Sequence, residues 1–166
     1  MTADSAAVLE RLLRDNDLGW MIDMYAPREG AIPYLLEQLS AVTAEFQRRF
    51  GHEVSFAPES LAAEADRNPH KVAAFLQALA ASRSPEMLVM VWRILQGLSI
   101  RDVTMAYHEW APFNLNVTLA RPGGEQDSLE TYQTTDINDA ALLRHFGIMT
   151  LGDKPLFDGF FPLPNS

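Results

Sequence analysis

The chain has 166 residues, 22 Asp and Glu against 13 Lys and Arg for a formal net charge of −9, a hydrophobic fraction of 48% and no cysteine. That length and apolar content predict one globular domain with a real core, residues 1–166. The missing cysteine excludes disulfides, thiolate metal sites and cysteine nucleophiles, and sparse, dispersed cations argue against nucleic-acid binding, where clustered Lys and Arg release counterions.

The opening "MTADSAAVLERLLRDND" has no basic segment followed by an apolar run, so no signal peptide is expected. The most apolar window, "PEMLVMVWRILQGL", is too short to cross a bilayer and carries Arg93. A cytoplasmic protein without a membrane partner is the expectation. Lys71 and Lys154 are the only lysines beside many Arg and Ala, a composition that points to a GC-rich bacterial genome.

The first half reads as helices. Asp4 or Ser5 is placed to cap a helix in which Val8, Leu9, Leu12 and Leu13 form a stripe. "LGWMIDMYAP" is short and apolar, ended by Pro27 and Gly30. Ile32, Leu35, Leu36, Leu39, Val42, Phe46 and Phe50 recur at helical spacing, and Gly51 stands where a left-handed cap belongs. "HEVSFAPES" reads as a loop or short extended piece, and "PESLAAEADR" as a weaker helix. In the next two helices Asn68 or Ser84 is followed by Pro69 or Pro85 at the first helical position, where the missing N–H costs nothing. Val72, Phe75, Leu76 and Leu79 give the first of these one apolar face. The second, from Met87 to Leu95, is apolar nearly all round and is expected to be buried.

After Gly97 the period changes to two. Val103, Met105 and Tyr107 share one face of "DVTMAYHEW"; Phe113, Leu115, Val117 and Leu119 share one face of "FNLNVTLAR". Pro112 is expected to break the pair between these segments. "FNLNVTLAR" and the more polar "SLETYQTT" read as a hairpin across "PGGEQD", with the latter near a sheet edge. "DINDAALLRHFG" predicts a helix capped by Asp136, with Gly147 after its end. "IMTL", a turn at "GDKP" and "LFDGFF" close the chain as strands, with Phe157 and Phe161 inward and Phe160 at least partly exposed. The expected fold is therefore α+β: an N-terminal helical half (about 1–98) packed on a C-terminal, mainly antiparallel sheet of about four to five strands (about 99–166) with one inserted helix.

Chemistry is thinly signalled. "YHEW" is the densest group of reactive side chains, but on a strand Tyr107 and Glu109 project opposite to His108 and Trp110. If the protein is an enzyme, Tyr107, His108, Glu109 and Asp102 are the residues to test. No catalytic set with a recognisable spacing supports them, so a non-enzymatic protein is expected. His52, His70, His108 and His145 form no HxH, HxxxH or HExxH pattern, so no metal is expected, and no Gly-rich phosphate loop or other cofactor motif occurs. "LQGLSIRDVTMAY" imitates the turn of helix-turn-helix DNA binders, but the residues that follow alternate as a strand.

The leading expectation is an interaction or accessory module of a bacterial system. It would bind a protein partner through aromatic and apolar surface on the sheet half, with Trp110, Tyr132 and Phe160 as anchors. The first alternative is an acidic inhibitor or immunity-type protein that covers a basic partner. The second is a small-molecule binder or enzyme with a site near Tyr107–Trp110.

Overall fold

The computed structural model describes residues 2–24, 31–51, 54–108, 111–121, 129–139, 142, 150–151 and 154–155, with backbone alone at 2–4, 23–24, 106–108, 111–112, 150–151 and 154–155. The chain divides into two compact units, Met1–Val89 and Met90–Ser166. Among the described residues the fold is α+β, with six helices followed by a three-stranded antiparallel sheet.

The first unit contains α1 (Thr2–Asp15), α2 (Gly19–Met24), α3 (Ala31–Phe50), α4 (Pro58–Arg67) and α5 (Pro69–Ala81). Leu9, Leu12 and Leu13 bury the stripe of α1, and Leu35, Leu39, Val42 and Phe46 that of α3. Ser5 does not cap α1; it lies inside the helix, and its hydroxyl donates to the Glu59 carboxylate of α4, 3.0 Å to Oε2. The end of α1 is set by a Schellman turn: Leu18 N–H donates to the Leu13 carbonyl at 2.7 Å and Asp17 N–H to that of Arg14 at 3.3 Å. Asp17 takes the left-handed position, with φ 62°, where glycine is usual. Gly51 does the same work for α3, at φ 73°.

Phe56, in the stretch read as a loop, is fully buried and joins an aromatic core. Its ring stacks on Phe75 at 5.3 Å and meets Phe46 at 5.9 Å. The two Pro-started helices begin differently. At α6 (Pro85–Leu95) the Ser84 hydroxyl accepts from Met87 N–H at 3.2 Å, a true cap. At α5 the Asn68 side chain instead donates to Glu64 at 2.9 Å and makes no cap bond. As expected from its all-round apolarity, α6 buries Met87, Leu88, Val89, Met90, Val91 and Trp92.

The sheet lies in the second unit, in the order β1 (Ser99–His108), β2 (Ala111–Ala120), β3 (Glu130–Thr134). β1 and β2 form an antiparallel hairpin, His108 opposite Ala111, so Pro112 does not break the pair. It falls where the register slips, two β2 residues standing against Tyr107, and an irregular position of this kind tolerates a missing N–H. A second slip leaves Arg101 unmatched. That extra residue corrects the alternation: Ile100 comes to share the inward side with Val103 and Met105, opposite Leu119, Val117 and Leu115.

β3 pairs with β2 and sits at the sheet edge, as its polarity suggested. The expected sheet of four to five strands is not what the described residues show. Thr150–Leu151 (β4) and Lys154–Pro155 (β5) pair with each other as a separate two-stranded ladder. Two residues a side, one of them proline, offer few ladder bonds. Asp136 starts a 3-10 turn (Ile137–Asp139), its carboxylate accepting from Asn138 N–H at 3.0 Å, and Leu142 is helical. The remaining expectations for "PGGEQD", for His145 and Gly147, and for the closing strand with Phe157, Phe160 and Phe161 concern positions outside the described residues.

Candidate functional site

Because β2 alternates strictly, the sheet has one apolar and one polar side. Phe113, Leu115, Val117 and Leu119 are buried, whereas Asn114, Asn116 and Thr118 point the other way and are partly exposed. The register extends that polar side across all three strands. Asp102, Thr118 and Thr131 form one row, and Thr104, Asn116 and Gln133 the next. The Gln133 amide donates to Asn114 Oδ1 at 2.9 Å. Its hydroxyls and amides exchange hydrogen bonds but do not titrate near neutrality, so this face can bind polar groups, and Asp102 is the one carboxylate in these two rows.

Of the sequence-predicted catalytic set, Asp102 stands exposed on this face. Tyr107 and His108 end β1 at the hairpin, and their side chains are outside the described residues, as are Glu109, Trp110 and Phe160. Tyr132 corrects its expected role: it is fully buried, opposite Val117 on the inward side, and does not present an aromatic anchor to solvent.

The reason is a disguise in β3. Its inward side carries Glu130, Tyr132 and Thr134, two of them polar, so the strand reads as solvated. Each polar member has a partner. Arg93 of α6 holds Glu130 at two points, Nε–Oε1 3.0 Å and Nη2–Oε2 2.6 Å, and also donates from Nη1 to Gln96 Oε1 at 2.8 Å. The Tyr132 hydroxyl donates to Glu130 Oε1 at 2.8 Å, and Thr134 donates to the buried Asp139 carboxylate at 2.7 Å. Burial pushes the Glu130 carboxyl up, but hydrogen bonds from Arg93 and Tyr132 and the Arg93 charge outweigh it and hold the group below the usual range. Arg93 is raised in turn by the hydrogen bond that it donates to Glu130.

In the first unit Glu45, Glu64 and Glu86 are also paired. Glu45 bonds Arg48 and Arg49, whose pull exceeds the upward push of burial and lowers its pKa. Arg49 goes on to Glu86 at 2.8 Å, tying α3 to the start of α6. Glu64 is lowered first by the Asn68 amide and then by Arg67. Among the described residues no group of three or more His, Asp or Glu is placed to hold a metal ion, and no helix is long and apolar enough to cross a membrane.

The large apolar side chains that do reach solvent were missed in the sequence. Trp20 on α2 is 50% exposed and Tyr34 on α3 39%. In the second unit Leu129 and Ile137, just before and after β3, are 42% and 40% exposed. "LGWMIDMYAP" looks uniformly apolar, but a six-residue helix can bury only one stripe; Met21 takes it together with Leu18 just before the helix, and Trp20 falls outside. Compared with known protein families, with curated proteins and with solved structures, the chain matches none.

Proposed function

We propose that the protein is a non-enzymatic interaction or accessory module that binds a protein partner through exposed aromatic and apolar side chains. The observation that carries this reading is Trp20, a tryptophan with half its surface in water. Tryptophan buries a large area at small entropic cost and is among the commonest interface anchors. Tyr34 in the same unit, and Leu129 and Ile137 beside β3, add exposed apolar area. Trp110 and Phe160 complete the proposed set on the sheet half; Tyr132 leaves it. The proposal keeps residues 1–166 as a single domain, with the closing segment adding strands to the sheet half. Affinity capture of the full chain from its native host tests it: a partner near stoichiometric yield, reduced by Trp20→Ala, is expected, and no such partner would overturn the reading.

A second reading, an acidic cover for a basic partner, is favoured by how the charges are spent. Arg14, Arg48, Arg49, Arg67, Lys71 and Arg93 are all engaged by the chain's own carboxylates. Asp15, Asp17, Glu37, Asp66 and Asp102 face solvent. Arg11, Arg83, Arg101 and Arg121 face solvent too, so a positive partner would be drawn by the net charge of −9, and its association would slow steeply with salt. Capture that is insensitive to ionic strength would remove this reading.

A further inference from the structure

The helical unit holds a cleft of about 310 Å³ where α1, α3 and the segment entering α4 come together. Leu36, Leu39 and Pro58 give it an apolar floor, and Ser5, Ser40, Thr43 and Ser55 bring hydroxyls to its walls. Among the described residues no charged side chain lines it.

The hydroxyls are not equivalent. Thr43 Oγ1 is spent, donating to the Leu39 carbonyl and accepting from Phe56 N–H, both at 3.0 Å. Ser5 donates to Glu59, so that carboxylate is occupied from the cleft side. Ser55 Oγ accepts from Ala57 N–H at 3.1 Å, which leaves its own proton to give. Ser40, also on the lining, is exposed. The cleft therefore offers two hydroxyl donors above an aliphatic floor, the pattern of a small-ligand site in which a few polar groups fix orientation.

The lining also selects charge. Among the described lining residues an ammonium would find no carboxylate, Glu59 beside the cleft already accepting from Ser5, and an anion would lose its hydration with no cation to replace it. We propose that this cleft binds a small neutral ligand with an aliphatic body and a terminal carbonyl or carboxamide that accepts from Ser55 and Ser40. The volume equals that of about ten liquid waters, which suits a molecule of roughly eight to ten heavy atoms. The site shares no residue with the proposed protein-binding surface, and either can fail without the other.

The test is a titration of the full chain, followed by backbone amide NMR, with three probes of one length: hexanamide, hexanoate and hexylammonium. Hexanamide should give saturable shifts at the amides of Ser40, Thr43 and Ser55, and each charged probe should bind about tenfold or more weakly, the scale of an uncompensated desolvation. Ser55→Ala should weaken hexanamide about three- to tenfold, as one neutral hydrogen bond is lost. Ser40→Phe should abolish binding by filling the space. Should that variant fail to fold, Ser55→Ala and the probe series decide. Absent saturation at these amides, equal affinity for all three probes, or unchanged binding by Ser55→Ala would overturn the proposal.

Discussion

Arg93 and Glu130 meet in a two-point ion pair, Nε–Oε1 3.0 Å and Nη2–Oε2 2.6 Å, with only 13% and 11% of their side-chain surfaces exposed. Removing one partner leaves the other nearly buried and uncompensated, so Glu130→Gln is expected to cost about 3 kcal/mol of unfolding free energy. Tyr132→Phe, which removes a single donor to the same carboxylate, should cost about 1 kcal/mol. The double variant should lose less than the sum, because both bonds end on Glu130. Chemical denaturation of the four proteins checks this.

The same pair sets a pH dependence. Folded Glu130 titrates below the ordinary value of 4.5, and Glu45 and Glu64 are shifted in the same direction. As pH falls, the unfolded chain takes up protons first. The contribution of these groups is therefore complete above about pH 5 and is lost progressively below it, as pH drops through the folded values. Unfolding free energy measured between about pH 6 and 3 should decline, and more shallowly in Glu130→Gln.

Asp17 holds a left-handed conformation, φ 62°, in the turn between α1 and α2. Asp17→Gly should stabilise by about 0.5 kcal/mol, the relief of a side chain at positive φ less the greater freedom of glycine when unfolded. Asp17→Val should cost about 1–2 kcal/mol. Thermal melts of both variants separate the backbone effect from any loss of charge, since the two substitutions remove the same carboxylate and move in opposite directions.

Gln38 on α3 buries its Nε2 with no hydrogen-bond partner among the described residues. An unmet donor costs about 1–3 kcal/mol, so Gln38→Met, similar in size, should gain about 1 kcal/mol. An equal or lower melting temperature would contradict it.

Which parts of the molecule the sequence discloses depends on how local their causes are. The stripes of α1 and α3, the glycine ending α3 and the buried α6 follow from spacing within one helix, and all could be read. The inward alternation of β2 was equally plain. β3 was not, because Glu130 and Thr134 face inward on the strength of Arg93 and Asp139, and the first of these partners lies 37 residues away in the chain. Pro112 looked like a break because a single sequence cannot show a register slip. Trp20 was not singled out, because an apolar run does not say which of its members a short helix must leave outside. Of the proposed anchors, Trp110 and Phe160 were found by residue type, Trp20 only by exposure.

Capture of the full chain from its native host, run in parallel with Trp20→Ala, tests the interaction reading most directly. One protein recovered at close to one equivalent, falling about tenfold or more with Trp20→Ala as expected for an aromatic anchor, is the expected result. No protein above about a tenth of an equivalent, or a full equivalent that Trp20→Ala leaves unchanged, would contradict it.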